Sequence, residues 1–290
     1  MLTDFTEQEC LEAIKASQLF HATVANVMEL RVDDYDFFIC TAIHSGHQLR
    51  EQLAENCLLS ESERLFEEDP FTDEIIAPMP ISVAALCSRY EFDLNRSPEK
   101  CIYEKAWGKQ VWKQPLTARA RQLSLQKHAL FYRIMGALTA KIESLHGKCL
   151  IYDIHSYNYR RVGADAPTFN IGTHQLNTRR WDRVIDHWVK NLGKIKLSDI
   201  DVRSAENEVF SGKGYLATFV CKYHHNSLVL PTEIKKIFMD EDTGKIYPLV
   251  LNKLKSELKE AILASAIYFQ SVTASEHSSS GGATDRAERP

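Results

Sequence analysis

The chain has 290 residues, of which 44% are hydrophobic and 26% are charged, as is typical of a globular protein rather than a disordered or collagen-like one. Its 35 basic and 39 acidic residues give a net charge of −4, which argues against nucleic acid as a partner. The sequence has no apolar run long enough to span a membrane, no secretory signal, and seven scattered cysteines without CxxC spacing. We therefore expect a reduced, cytoplasmic protein with no membrane contact.

The first half of the chain contains two predicted buried strands and two predicted helices. The first strand spans residues 36–43, a short apolar run rich in aromatic and β-branched residues. Ser60 begins a capping-box pattern that predicts a short helix. A long helix follows over residues 117–145, where apolar residues recur three and four apart, and Gly147 is its predicted end. The second buried strand occupies residues 149–154.

The second half adds two predicted helices, one buried strand and one candidate strand. A helix over residues 178–192 places its large apolar residues on one face. Residues 215–221 are a candidate strand, and residues 227–231 form a third buried strand. Apolar spacing predicts a last helix over residues 247–267. The final stretch, residues 271–290, is polar and rich in Ser and Gly, so we expect it to be disordered.

Strands that alternate with long helices predict an α/β fold, with a mixed, largely parallel sheet and helices on both faces. We find no linker and no internal repeat in the sequence. Residues 1–270 are therefore interpreted as a single domain, and residues 271–290 as its disordered tail.

Histidine and carboxylate residues stand at the ends of the three buried strands. His44 follows the first strand, His155 the second, and Glu233 the third. Ligands of open α/β sheets bind beyond the carboxyl ends of the strands, so these side chains converge if the strands are parallel neighbours. Two imidazoles and a carboxylate suit zinc. The alternative is that each histidine is a hydrogen-bonded structural residue. Asp153 lies on the same face as His155 and either orients that imidazole or binds a helix N-terminus.

A second polar cluster runs from Arg89 to Arg96 and contains Asp93 and Asn95. Arginine captures carboxylates through paired hydrogen bonds, and the amide of Asn95 adds a donor beside Arg96. The alternative is a surface turn with solvated charges.

Six motifs in this order resemble the N-formylglutamate amidohydrolase family, which belongs to the wider zinc carboxypeptidase and aspartoacylase group. The resemblance covers roughly residues 35–245, and no single motif is specific by itself. The motifs are Ile43-His44-Ser45-Gly46, Glu68 to Glu74, Arg89 to Arg96, Tyr152 to Ser156, Gly212-Lys213-Gly214-Tyr215, and Glu233 to Glu241.

The resemblance implies a zinc-exopeptidase-like fold and a Zn²⁺ cofactor. His44 and His155 match the two zinc-binding histidines of the family. Glu233 is similar to the glutamate that activates the metal-bound water as a general base. Arg89 is similar to the arginine that stabilises the oxyanion. This set of residue types is suited to amide hydrolysis by water.

The resemblance also implies how a substrate would be held. Asn95 and Arg96 look like the pair that grips a substrate carboxylate, and His174 lies in a loop that the resemblance places near the site. Ser156, next to a zinc-binding histidine, is expected to support the site by hydrogen bonding, as is Asp153.

The chain departs from the family pattern at two places. The wider group takes its acidic ligand three residues after the first histidine, where this chain has His47. We expect Asp73 to supply the third ligand, with Glu68 or His47 as alternatives. Lys235 and Lys236 stand where the family usually has Asn-Arg, which leaves open a reduced or altered activity.

These observations predict a zinc-dependent amidohydrolase that cleaves the amide of an N-acyl amino acid similar to N-formylglutamate. The expected partners are small N-acyl amino acids or short peptides, and neither nucleic acid nor membranes. Two alternatives stay open, a zinc carboxypeptidase and a binding homologue that has lost turnover.

Overall fold

The computed structural model describes residues 2–279 of the chain, and the side chains as far as residue 272. Eleven strands lie in this part of the chain. They are β1 (Thr3–Phe5), β2 (Phe20–Val24), β3 (Met28–Val32), β4 (Phe38–Ala42), β5 (Ile81–Ala85), β6 (Lys105–Ala106), β7 (Lys109–Gln110), β8 (Cys149–Tyr157), β9 (Phe169–Ile171), β10 (Ser204–Glu206) and β11 (Ser227–Lys235).

Eight helices connect or follow the strands in the described part. They are α1 (Glu7–Lys15), α2 (Glu51–Asn56), α3 (Glu61–Glu67), α4 (Thr72–Ile76), α5 (Ala118–His146), α6 (Thr178–Leu192), α7 (Tyr215–Tyr223) and α8 (Pro248–Ser279). Ser60 caps α3 with the predicted capping box, and Gly147 ends α5 in a left-handed conformation.

Nine strands form one mixed sheet in the order β1-β2-β3-β5-β4-β8-β11-β9-β10, and β6 pairs with β7 in a separate hairpin. The central neighbours β5, β4, β8 and β11 are all parallel. Antiparallel pairing occurs where β3 joins β2 and β5 and where β9 joins β11. The largely parallel, mixed sheet is the predicted one.

Helices cover both faces of the central strands. Every residue of β4 and β8 is buried, as expected for strands enclosed on both sides. Both α5 and α8 contact β8, and Trp188 of α6 packs its ring against Tyr152 of β8 at a centroid distance of 4.9 Å. The carboxyl ends of the parallel strands are left open between the loops, and this edge carries the polar residues.

Two expectations differ from the structure. The candidate strand at 215–221 is the helix α7, in which Leu216, Ala217 and Val220 are buried at helical spacing and Gly214 precedes the first turn. The apolar run is only as long as a typical strand, so its length did not distinguish a helix from a strand. The helix α8 runs through Ser279 and so includes the first nine residues of the predicted tail. Residues 280–290 of that tail lie outside the described residues.

Within residues 2–279, none of the helices is both long and apolar enough to cross a membrane. All seven cysteines lie in this part of the chain, and none is in a disulfide.

Candidate active site

A cavity of about 380 Å³ opens at the carboxyl ends of β4, β8 and β11. His44, two residues beyond the end of β4, lines this cavity together with His155 of β8 and Glu233 of β11. In the parallel register of the two strands, Glu233 pairs with His155. The sheet therefore brings together three side chains that lie far apart in the sequence.

The two imidazoles converge on a buried carboxylate, Asp69. The ring centroids of His44 and His155 are 4.9 Å apart. One oxygen of Asp69 lies 3.0 Å from Nδ1 of His155 and 3.4 Å from Nδ1 of His44. All three side chains are almost completely buried. One ligand atom from each residue lies within 4.8 Å of the other two, which is close enough to share one metal ion.

The acidic residue beside the histidines is Asp69 and not the expected Asp73. Asp69 lies in the turn between α3 and α4, and its backbone N–H donates to the carbonyl of His44 at 3.0 Å. Thr72 begins α4 and donates its hydroxyl to the carbonyl of Asp69. Asp73 falls in the first turn of this helix and is outside the cluster of metal-ligand atoms. The motif Glu68 to Glu74 contains several acidic residues. Which of them faces the histidines depends on where α4 begins, and the sequence alone did not specify that position.

Glu68 and His47, the two alternatives for the third ligand, pair with each other instead. The buried carboxylate of Glu68 contacts Nδ1 of His47 and accepts a hydrogen bond from the hydroxyl of Ser88. His47 is partly exposed, and its other ring nitrogen lies 3.4 Å from Arg64. Neither residue belongs to the cluster around Asp69.

Each histidine is held from its other side by a second carboxylate. Nε2 of His44 lies 2.7 Å from Asp93, and Nε2 of His155 lies 3.0 Å from Asp153. Asp153 also accepts a hydrogen bond from Thr41 on the neighbouring strand β4 at 2.7 Å. Such carboxylates fix the orientation of metal-binding imidazoles and make them better ligands. Asp153 contacts the imidazole that its spacing suggested, whereas the role of Asp93 was missed.

The charges around the histidines are balanced by contacts within the cluster. Burial opposes ionisation of Asp69, but the adjacent His155 and His44 lower the pKa of this carboxyl group. Burial also opposes a charge on His155, yet Asp153 and Asp69 raise the pKa of its imidazole well above the usual range. The carboxylates of the pocket therefore favour a positive charge between them. A divalent ion would meet the same requirement.

Arg89 is fixed at the cavity wall by Asp93. Its guanidinium donates to Asp93 at 2.8 and 3.3 Å and to the backbone carbonyl of Glu67 at 2.9 Å. Burial works against both charges, but Arg89 keeps the pKa of Asp93 well below its ordinary value. Asp93 also accepts a hydrogen bond from the hydroxyl of Tyr103. Arg89 and Asp93 lie in a turn segment after β5 and not on a helix, so their spacing in the sequence gave no signal for this pair.

Glu233 differs from the other carboxylates of the site. Burial raises the pKa of Glu233 to about 7, although the nearby His155 opposes this rise. Among the described residues, no side chain or backbone group forms a hydrogen bond with its carboxylate, which is partly exposed at the cavity wall. A carboxylate with these properties can exchange a proton near neutral pH.

Asn95 and Arg96 both line the cavity, as the carboxylate-binding hypothesis requires. Oδ1 of Asn95 is buried and has no hydrogen-bond partner among the described residues, and Arg96 is exposed without an acidic partner there. A Cβ atom on Gly214 would lie 2.1 Å from this Oδ1, so a larger residue there would displace the side chain of Asn95. Arg96 also donates to the backbone carbonyl of Asn95 at 3.4 Å. The group of Asn95 that can donate to a ligand carboxylate is Nδ2.

Two further predicted site residues are placed differently. His174 is exposed and does not line the cavity; its backbone N–H donates to the carbonyl of Ser211 at 2.8 Å. Ser156 does line the cavity, but its hydroxyl is buried without a hydrogen-bond partner in the described part of the chain.

Lys235 and Lys236 have distinct structural contacts. Lys236 is buried, and its Nζ donates to the carbonyls of Phe66 at 2.8 Å and of Glu68 at 2.7 Å. Burial lowers the pKa of Lys236 to about 8. The Nζ of Lys235 donates to the carbonyl of Ala164 at 2.7 Å. Lys236 thus supports the backbone that leads into Asp69.

The donor set fits a zinc ion. Zinc accepts imidazole nitrogen and carboxylate oxygen, and catalytic sites typically offer three protein ligands and leave one position open. The cluster of His44, Asp69 and His155 supplies such a set on the wall of an accessible cavity. The carboxylates behind the two imidazoles supply the supporting contacts that zinc-binding histidines need.

The chain is similar to one protein family and to several solved structures. The family model of N-formylglutamate amidohydrolase matches residues 37–236. The structure of an N-formylglutamate amidohydrolase from Ralstonia eutropha has a TM-score of 0.67 at 18% identity, over 84% of this chain and 98% of that one. A gene product from Agrobacterium tumefaciens has a TM-score of 0.60 at 14% identity, over 86% of this chain and 96% of that one. Among curated proteins, no sequence matches this chain significantly.

Proposed function

Because the chain belongs to the N-formylglutamate amidohydrolase family and is therefore an amidohydrolase, we propose that it uses zinc to hydrolyse the amide bond of an N-acyl amino acid. One observation carries this proposal. Two imidazoles and a buried carboxylate meet within 4.8 Å on the wall of a cavity that also contains an unpartnered glutamate. This combination provides a metal site and a proton acceptor side by side.

His44, Asp69 and His155 would hold the metal. A zinc ion bound there lowers the pKa of water and polarises the carbonyl group of a substrate. Asp93 and Asp153 keep the imidazoles directed towards Asp69 and prevent them from rotating away. The two imidazoles are thus oriented before a metal binds, because each is fixed by a carboxylate on its far side.

Glu233 acts as the general base. Its carboxylate takes a proton from the attacking water and gives it to the amine that leaves. The raised pKa of about 7 makes Glu233 able both to accept and to release that proton near neutral pH. The absence of a hydrogen bond to this carboxylate from the described residues leaves it free to do so.

Arg89, Asn95 and Arg96 handle the substrate. Arg89 is held rigidly by Asp93 and lines the cavity, so its guanidinium can stabilise negative charge on the oxygen of the amide carbonyl. Arg96 and the side-chain amide of Asn95 bind the carboxylate of the amino acid and fix its distance from the amide bond. This arrangement favours N-acyl amino acids over neutral amides.

The test compares His155→Ala with a matched change at His225, an exposed histidine that does not line the cavity. Both proteins are analysed for zinc content and assayed against N-formyl and N-acetyl amino acids and short peptides, with and without a chelator. We expect His155→Ala to lose both zinc and hydrolysis, and His225→Ala to retain both.

Full zinc content and full activity in His155→Ala would contradict the proposal. Release of C-terminal residues from peptides by the wild type would indicate a carboxypeptidase. Zinc binding without hydrolysis of any substrate would indicate a binding homologue.

A further inference from the structure

Trp107 occupies an unusual backbone position next to the site. The hairpin of β6 and β7 is closed by the two residues Trp107 and Gly108, both of which have positive φ angles, +47° and +79°. Two-residue turns of this kind favour Asn, Asp or Gly at the first position, because other side chains crowd the backbone there. A tryptophan at this position is therefore unfavourable for the turn itself.

Core packing does not explain the tryptophan either. Its side chain is 41% exposed. The ring lies over the guanidinium of Arg89 at 4.8 Å and contacts the rings of Tyr90 and Tyr103 at centroid distances of 5.8 and 5.7 Å. The strained turn therefore holds an aromatic surface at the cavity wall, directly against Arg89.

A second depression of about 350 Å³ lies on the other side of Trp107. Trp107 and Glu67 line both this depression and the cavity at the carboxyl ends of β4, β8 and β11. These two residues therefore form the wall between the depression and the cavity. Leu59 and Phe66, both partly exposed, provide apolar surface in this depression. A partly apolar depression therefore adjoins the cavity at Trp107, the residue that covers Arg89.

The charged groups at the rim of this depression are already paired with one another or with nearby residues. Lys109 donates to Glu63 at 2.9 Å, and Asp242 contacts Arg160. Glu67 binds Arg161 at 2.8 Å. An apolar ligand would thus meet no unpaired charge among these rim residues.

We propose that Trp107 and the adjoining depression form a subsite for an apolar or aromatic acyl group larger than formyl. This inference rests on the proposed function, in which Arg89 faces the oxygen of the acyl carbonyl. The group attached to that carbonyl must lie beside Arg89, and Trp107 covers Arg89 there. Asn95 and Arg96 hold the carboxylate of the amino acid at the other end. Trp107 thereby determines which acyl group is accepted.

The test measures equilibrium binding in zinc-loaded protein that carries Glu233→Gln, so that hydrolysis does not consume the ligand. Calorimetry compares N-benzoylglutamate with N-formylglutamate, two ligands that differ only in the acyl group. We expect the benzoyl compound to bind about tenfold more tightly, from stacking and burial of its ring.

The additional change Trp107→Asn should remove this preference by weakening benzoyl binding about tenfold, while formyl binding changes less than about twofold. Because asparagine suits the turn, the melting temperature of Trp107→Asn should be equal or higher, which a purely structural role would not allow. Trp107→Phe keeps an aromatic ring and should retain part of the preference. It also serves as the test if Trp107→Asn does not fold.

Equal affinities of the two ligands, or equal losses for both in the Trp107 variants, would overturn the subsite. A wild-type protein that hydrolyses no N-acyl amino acid would instead contradict the proposed function, and the binding comparison would still decide whether Trp107 recognises an acyl group.

Discussion

At the scale of single residues, the site depends on a carboxylate that serves two imidazoles at once. Asp69 is buried between His44 and His155, and its backbone N–H is bonded to the carbonyl of His44. Lys236 fixes the carbonyls of Phe66 and Glu68 just before it. Hydrogen bonds to the backbone at and just before Asp69 therefore fix the position of its carboxylate.

Asp69→Asn and Asp73→Asn form a matched pair that tests this assignment. Asp69→Asn removes the negative oxygen donor, so we expect zinc affinity to fall by more than about 100-fold, beyond the loss typical for residues that only orient a ligand. Asp73→Asn should leave zinc affinity unchanged, since Asp73 lies outside the cluster. Competition with a chelating dye measures both. A loss of zinc affinity in Asp73→Asn but not in Asp69→Asn would instead identify Asp73 as the metal ligand.

The raised pKa of Glu233 predicts the pH dependence of the reaction. A general base must be ionised, so kcat/KM should rise with pH through the pKa of Glu233 and then level off. Burial raises this pKa from 4.5 to about 7. A bound cation favours the carboxylate and moves the midpoint downwards, so we expect it between these two values. A pH profile of kcat/KM checks this, and a midpoint at or below 4.5 would contradict it.

At the scale of elements, close backbone contacts place the loops that line the cavity. Gly172 follows β9 and packs against Gly212 in the loop before α7. A Cβ atom on Gly172 would lie 2.3 Å from Cα of Gly212. Since both partners are backbone, neither can rotate away. The same loop carries Gly214, which approaches Asn95.

Gly172→Ala should therefore displace the loop over residues 211–214. We expect a loss of about 1–3 kcal/mol in the free energy of unfolding, the usual effect of overpacking, together with a higher KM as Asn95 loses its neighbour. Gly136→Ala, within α5, is the control, because its added methyl group meets the ring of Phe219 at 3.3 Å and not backbone. Urea unfolding and steady-state kinetics measure both effects. Equal stability and KM in the two variants would show that the contact is unimportant.

Burial explains only part of what the sequence could predict, since the buried strand β5 was also missed. β4 and the start of β8 are apolar throughout because both faces of the central sheet are covered, and such runs are easily recognised. β3 was missed although Met28, Leu30 and Val32 alternate with charged residues, which is a signal for a strand with one exposed face. The strands β1, β9 and β10 have only three residues each and give no periodic signal.

At the scale of the whole molecule, the site is assembled from distant parts of the chain. Strand order places His155 next to Glu233, and that pairing followed from the assumption of parallel neighbours. Asp69 and Asp93 lie in loops, and both contact His44 just beyond β4. The sequence has no periodic pattern from which such loop contacts could be predicted. Sequence reasoning therefore placed His44, His155, Glu233 and Asp153 in one site, but it did not identify Asp69 and Asp93 as the carboxylates that contact the histidines.

This assembly from distant segments predicts a coupling between metal binding and global stability. His44, Asp69 and His155 meet only in the folded chain, so a zinc ion held by these residues would bind the native state and not the unfolded one. At a free zinc concentration of about 100 times Kd, the expected stabilisation is about 2.7 kcal/mol, which corresponds to a rise in Tm of roughly 4–5 °C for a protein of this size. Differential scanning calorimetry with zinc and with a chelator measures the shift. Asp69→Asn should not show it, and an equal shift in wild type and Asp69→Asn would mean that zinc binds elsewhere on the molecule.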